Sequence, residues 1–114
     1  MNIQTVILSL TLFLFPLSTL AGSGHDHGHS HEPATQSQVE KVAGDIVFQL
    51  AEKSKIDASW KAVKIEKSLT KKFGNNSEWV VSFKNEKITD PDKQTLYIFL
   101  TMGGEYLAAN YTGD

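Results

Sequence analysis

The stretch "QTLYIFLTMGGEYLAANY", residues 94–111, decides the fold. Apolar and polar side chains alternate on both sides of Gly103 and Gly104, the period-two pattern of two half-buried strands joined by a tight turn. Glycine at the turn tolerates the positive φ that a two-residue hairpin demands. If Met102 pairs with Glu105, then Leu100 lies opposite Leu107, Ile98 opposite Ala109 and Leu96 opposite Tyr111, because directly paired residues share a face. That face is apolar and predicts the core side of a sheet. The other face then carries Tyr97, Phe99, Thr101, Tyr106, Ala108 and Asn110.

Working back toward the N-terminus, "EWVVSF" at residues 78–83 reads as another strand, with Trp79, Val81 and Phe83 toward the core. Ahead of it, Val63, Ile65 and Leu69 alternate with Lys64, Glu66 and Ser68, which predicts a first strand. "GNNS" at residues 74–77 supplies the turn between the two. Residues 84–93 form a longer polar loop containing Pro91. The connector "KSKIDASW", residues 53–60, is polar except for two apolar anchors, Ile56 and Trp60, with a short helical turn expected after Asp57.

Before the connector the period changes to 3.6. Val39, Val42, Ala43, Ile46, Val47 and Leu50 fall on one stripe of an amphipathic helix over residues 38–53. "SQVE" has the spacing of a capping box, Ser37 bonding the amide of Glu40 and Glu40 reaching back. The predicted fold is therefore α+β: one N-terminal amphipathic helix packed on a four-stranded antiparallel meander, over residues 37–114.

Composition narrows the functions open to such a domain. The chain has 114 residues and a formal net charge of −2, and all eleven of its Lys and Arg positions are Lys. Without guanidinium groups, bidentate recognition of phosphates and bases is lost, so nucleic acid is not an expected partner. With no Cys, disulfides, thiolate metal sites and cysteine nucleophiles are excluded.

Residues 1–21, "MNIQTVILSLTLFLFPLSTLA", have an apolar run at 6–15, then Pro16 and small residues, the layout of a secretory signal peptide. The run is too short to cross ~30 Å of hydrocarbon comfortably, so stable membrane insertion after cleavage is not expected. The segment before the run lacks Lys or Arg, which leaves a retained N-terminal anchor as the alternative. The expected location is outside the cytoplasm, periplasmic or secreted.

Residues 22–36 contain Gly, Ser, His, Asp, Pro, Thr and Gln with no large apolar side chain, a composition expected to stay disordered. All four histidines of the chain, His25, His27, His29 and His31, stand here at every second position. Imidazole ligates Zn²⁺, Cu²⁺ and Ni²⁺ and is mostly neutral near pH 7. Extended chain would space these rings about 6.8 Å apart, too far for neighbours to share one ion at bond lengths of ~2.0–2.1 Å. The backbone must fold around the metal, which Gly24 and Gly28 permit, with Asp26 and Glu32 as further oxygen ligands. Because binding must order the segment, the expected cofactor is loosely held, Zn²⁺ first and Cu²⁺ or Ni²⁺ next. Cleavage after Gly22 instead of Ala21 would expose Ser23-Gly24-His25, whose amine, two amides and imidazole form a square-planar set for Cu²⁺ or Ni²⁺. Against the metal reading stands a hydrophilic linker that binds metal without biological use.

The rest of the chain offers little chemistry. Asp90 and Asp92 lack the oxygen-rich loop of a Ca²⁺ site and read as a turn. Ser and Thr have no His base within the domain, and the carboxylates are scattered, so no enzymatic activity is expected. The aromatic sheet face, Tyr97, Phe99 and Tyr106, is a second candidate, for partner binding, unless the loop at residues 85–94 or the connector around Trp60 covers it.

With "DASW", "EWVVSFKN", "DPDKQTLYIFLT" and "GEYLAANYTG" assembled, the chain resembles a family of small exported bacterial proteins of unknown function with a His-rich mature N-terminus. More loosely, the helix and the meander ending in "GGEYLAANYTG" are similar to the PepSY-type domain, a resemblance that implies cystatin-like packing of helix on sheet. PepSY domains are associated with protease propeptides and envelope regulation. No inhibitory residue of theirs can be placed on this sequence. The expected function is an exported, non-catalytic protein that binds a divalent metal ion through its tail as a buffer or delivery factor, with an envelope partner such as a metal transport component. The alternative is an interaction or inhibitor module whose His-rich linker is incidental.

Overall fold

The computed structural model describes residues 32–114; the segment read as a signal peptide and the histidine tract lie outside the described residues. One α-helix, α1 (Gln36–Glu52), precedes four strands: β1 (Ile65–Phe73), β2 (Asn76–Lys84), β3 (Thr95–Thr101) and β4 (Tyr106–Asn110). The strands pair antiparallel in chain order, β1-β2-β3-β4. The fold is α+β, as the change of period from 3.6 to 2 predicts.

The helix stripe is the core. Val39, Ala43, Ile46, Val47 and Leu50 are buried against Val81, Phe83, Leu96, Ile98, Leu100 and Ala109 of the sheet. Trp60 joins this core at 1 % exposure, held in a 3-10 turn (Ala58–Ala62) that Asp57 caps by accepting the Ser59 N–H at 2.9 Å. The connector thus closes one end of the layer between helix and sheet. Ile88, from the loop after β2, packs against the same cluster.

The helix starts earlier than the capping box at Ser37 predicts. Thr35, not Ser37, is the N-cap: its hydroxyl accepts the Gln38 N–H at 3.1 Å, and Gln38 Oε1 accepts the Thr35 N–H at 2.9 Å. Both "TQSQ" and "SQVE" satisfy the capping-box spacing. Tertiary bonds select the first. The Ala34 N–H donates to the Met102 carbonyl at 2.8 Å, and Gln36 Nε2 donates to Ser68 Oγ at 2.8 Å. Residues 34–36, grouped with the tail by composition, are therefore tied to the fold.

Two β-bulges move side chains across the sheet. In β1 the partner of Ile65 is Phe83 but that of Lys67 is Ser82, so Glu66 is an extra residue. Beyond it Ser68 and Thr70, rather than Leu69, lie on the helix side, and Leu69 is 39 % exposed on the other. In the β3–β4 hairpin the Thr101 N–H donates to the Glu105 carbonyl at 2.8 Å, so the turn is longer than the two residues predicted. Leu100 then faces Tyr106, while Phe99 still faces Ala108 and Ile98 faces Ala109, which leaves Leu107 as the extra residue. The expected pairing of Leu100 with Leu107 is thus corrected. An extra residue in one strand shifts its face assignment by one, and a second shift restores it.

Candidate functional site

The bulge in β4 divides the three aromatic residues read as one partner-binding surface. Tyr106 packs against the core cluster, on the helix side. Tyr97 and Phe99 stay on the opposite face, aligned with Ser82 and Val80 of β2. Phe99 is only 4 % exposed, and Phe73 meets its ring edge-on with centroids 5.9 Å apart. Tyr97 lies beneath Gly113, where a Cβ would come within 3.1 Å of the ring. Asn110 fixes that segment, its Oδ1 accepting the N–H groups of Thr112 at 3.1 Å and Gly113 at 2.8 Å. Of the covers considered from sequence, Trp60 and, from the loop at 85–94, Ile88 pack on the helix side instead.

The polar groups of the domain serve mostly as ties. Ser68, placed on the helix side by the first bulge, donates its hydroxyl to Glu40 Oε2, and Gln36 Nε2 donates to the same carboxylate oxygen at 3.1 Å. The Ser68 hydroxyl first, and Gln36 second, hold the Glu40 carboxyl below its ordinary pKa near 4.5. Asp90 accepts the Asp92 N–H at 2.9 Å and caps a short 3-10 turn (Pro91–Lys93), in keeping with a turn rather than a Ca²⁺ loop. Among the described residues no group of three or more His, Cys, Asp or Glu side chains could hold a metal ion.

Among the described residues, an open cleft lies near each end of the helix. One, of about 440 Å³, lies at the start of α1 between Pro33, Gln38, Lys41 and the turn glycines Gly103 and Gly104. Gly104 needs its φ of +91°, and a Cβ there would meet that of Ala34 at 3.1 Å, so the hairpin tip and the entry to α1 are in close contact. Glu32 borders this cleft, and the histidine tract joins the domain at this end. The other, of about 500 Å³, lies beyond the C-terminal end of α1 among Lys55, Ile56, Trp60, Ile88, Lys93 and Tyr111. Burial, and secondarily the Asp57 carboxylate, push the Tyr111 phenol above its ordinary pKa. No motif in the sequence marks this second cleft. Its only signal was the pair of apolar anchors in a polar connector.

His25, His27, His29, His31 and Asp26 lie outside the described residues. No helix among the described residues is long and apolar enough to cross a membrane. The model of a family of unknown function, DUF6488, matches residues 1–114. No curated protein and no solved structure matches the chain.

Proposed function

The chain belongs to the DUF6488 family of unknown function, and from that premise we propose that it is an exported protein binding a divalent transition metal through its histidine tract, as a buffer or delivery factor. The observation that carries this reading is where the histidines stand. All four fall within residues 25–31, with two residues between the last of them and Ala34, whose N–H donates to the Met102 carbonyl at 2.8 Å. The chain that carries the histidines therefore enters the domain at Glu32, a residue that borders the cleft at the start of α1. In this reading residues 1–21 direct export and are removed, residues 22–33 carry the metal, and the folded domain positions the tract and docks on an envelope component. Zn²⁺ is the first choice of ion, with Cu²⁺ and Ni²⁺ next, because imidazole suits all three. Loose binding follows from the ordering that a Gly- and Ser-containing segment must undergo. A PepSY-like, cystatin-like kinship of the domain belongs to the same proposal, supported by a helix lying on one face of a simple meander.

The test is calorimetric titration of the exported protein, its N-terminus fixed by mass spectrometry, with Zn²⁺, Cu²⁺ and Ni²⁺ at neutral pH. The control replaces His25, His27, His29 and His31 by Ala. Binding in the micromolar range or tighter that vanishes in the control is the expected result. Binding that survives the substitutions, or reaches only millimolar strength, refutes the proposal.

A further inference from the structure

We propose that the open edge of β1 binds an extended acidic segment of a partner protein by strand addition, with acidic, apolar and acidic side chains at alternate positions facing Lys67, Leu69 and Lys71. The argument begins with the sheet order. β1 is an edge strand, paired only with β2 among the described residues, and at nine residues it is nearly twice the length of β4 at the other edge. An antiparallel edge strand leaves alternate N–H and C=O groups unpaired along its outer side, which is the template that an added strand completes.

The side chains of β1 define what can be added. Past the bulge at Glu66, Lys67, Leu69, Lys71 and Phe73 lie on the face away from the helix, aligned with Ser82, Val80, Glu78 and Asn76 of β2. Leu69 is 39 % exposed, covered on its inner side by Val80 and open on its outer side. Lys64, Lys67 and Lys72 are exposed and make no hydrogen bond or ion pair with another described residue. Lys71 is held loosely, 3.4 Å from the Gly113 carbonyl and over the Phe73 ring. Glu66, the one acidic residue of the strand, already accepts the Ser82 hydroxyl at 3.2 Å.

Charge selects among occupants. Two β1 edges brought together would oppose lysine to lysine, and like charges directly across a strand pair are destabilising, so a second copy is disfavoured. A strand with carboxylates opposite Lys67 and Lys71, and an apolar side chain opposite Leu69, turns the same three positions into favourable pairs. A nucleic acid could meet the ammonium groups but has no backbone to complete the ladder. β4 is a poorer edge. It has five residues with a bulge, no cationic side chain, and Ala109 and Asn110 at 0 % and 6 % exposure.

The probe is an acetylated and amidated peptide with Glu, Val and Glu at alternate positions in a Thr and Ser background, added to ¹⁵N-labelled protein at low salt. The expected result is saturable amide shifts along β1 with slowed exchange of its edge amides, and about tenfold weaker binding at half-molar salt as screening shortens the Debye length. The double variant Lys67→Glu/Lys71→Glu should lose the acidic peptide and bind the matching peptide with Lys in place of Glu. A strand-shaped contact predicts this exchange of partners, whereas a diffuse positive surface does not. If that variant fails to fold, Lys67→Ala/Lys71→Ala, which keeps the exposed positions neutral, should bind the acidic peptide about tenfold more weakly. Absence of saturable shifts, shifts centred away from β1, unchanged binding by the alanine variant, or self-association through β1 would overturn the proposal. The histidine substitutions leave this test unaffected, so it fails or succeeds independently of the metal reading.

Discussion

Leu100 and Leu107 are expected as cross-strand partners from alternation alone, and the hairpin instead makes them opposites. Leu100 is 0 % exposed in the core, whereas Leu107 is the bulged residue and 44 % exposed. The same substitution at both positions therefore measures the bulge. Leu100→Ala deletes a buried isopropyl group and leaves a cavity beneath α1, a change that costs about 2–5 kcal/mol. Full burial of a Leu side chain is worth ~1.5–3 kcal/mol. With 44 % of Leu107 already in water, and water able to fill the vacated space, Leu107→Ala should cost about 1 kcal/mol or less. Urea unfolding followed by the fluorescence of Trp60 and Trp79 reads the difference. At an m-value of about 1 kcal/mol/M, suited to a small domain, the midpoint falls by roughly 2 M or more for Leu100→Ala and by under about 1 M for Leu107→Ala. A Leu100→Ala protein with no folded baseline, beside a nearly native Leu107→Ala, gives the same ranking. Equal losses, within about 0.5 kcal/mol, would refute the three-residue turn and return the hairpin to the simple alternating register.

Two further tests address the backbone and the helix–sheet tie. Gly113→Ala should destabilise by about 1–2 kcal/mol, because a φ of +84° and a Cβ within 3.1 Å of the Tyr97 ring both oppose it, whereas Gly44→Ala on α1, with nothing within 4 Å, should stabilise by roughly 0.5–1 kcal/mol. Thermal unfolding of the pair reads both signs, and a stabilised Gly113→Ala would contradict the fold-back over Tyr97. Glu40 titrates below its ordinary 4.5 in the folded protein, so its contribution is present above the unfolded pKa and is lost as pH falls through the lower folded value. Ser68→Ala should move the Glu40 titration midpoint, followed by carboxyl NMR, upward toward 4.5, and its stability difference from wild type should shrink in acid below both pKa values. An unmoved midpoint would remove the Ser68 bond from the argument.

Much of the fold is legible in the chain because local periodicity is a direct consequence of burying one side of an element. The stripe from Val39 to Leu50, the alternation of β2 and β3, and the turn residues at Gly74 and Gly104 are enough to set one helix and four antiparallel strands in order. Trp60 and Ile56 announce an anchored connector, although not the cleft that they floor together with Tyr111. The histidine tract is equally plain, since four imidazoles in seven residues need no tertiary context to be noticed.

What periodicity could not determine is which face a side chain occupies beyond an irregularity. Alternation has a period of two, so one inserted residue inverts every later assignment in that strand, and no side chain pattern marks the insertion in advance. At Glu66 the inversion turned Ser68 toward Glu40 and exposed Leu69; in the hairpin the extra turn residue turned Tyr106 inward, away from Tyr97 and Phe99, and the bulge at Leu107 restored the faces from Ala108 onward. The helix start, expected at Ser37, lies at Thr35 for a similar reason. Thr35 and Ser37 both carry a capping signature, and the choice came from bonds to Met102 and Ser68, residues 68 and 32 positions further along the chain from their partners Ala34 and Gln36. The sequence by itself determined the elements, their order and the histidine tract; the tertiary structure decided the faces and the ends, because those depend on pairings between residues remote from one another in the chain.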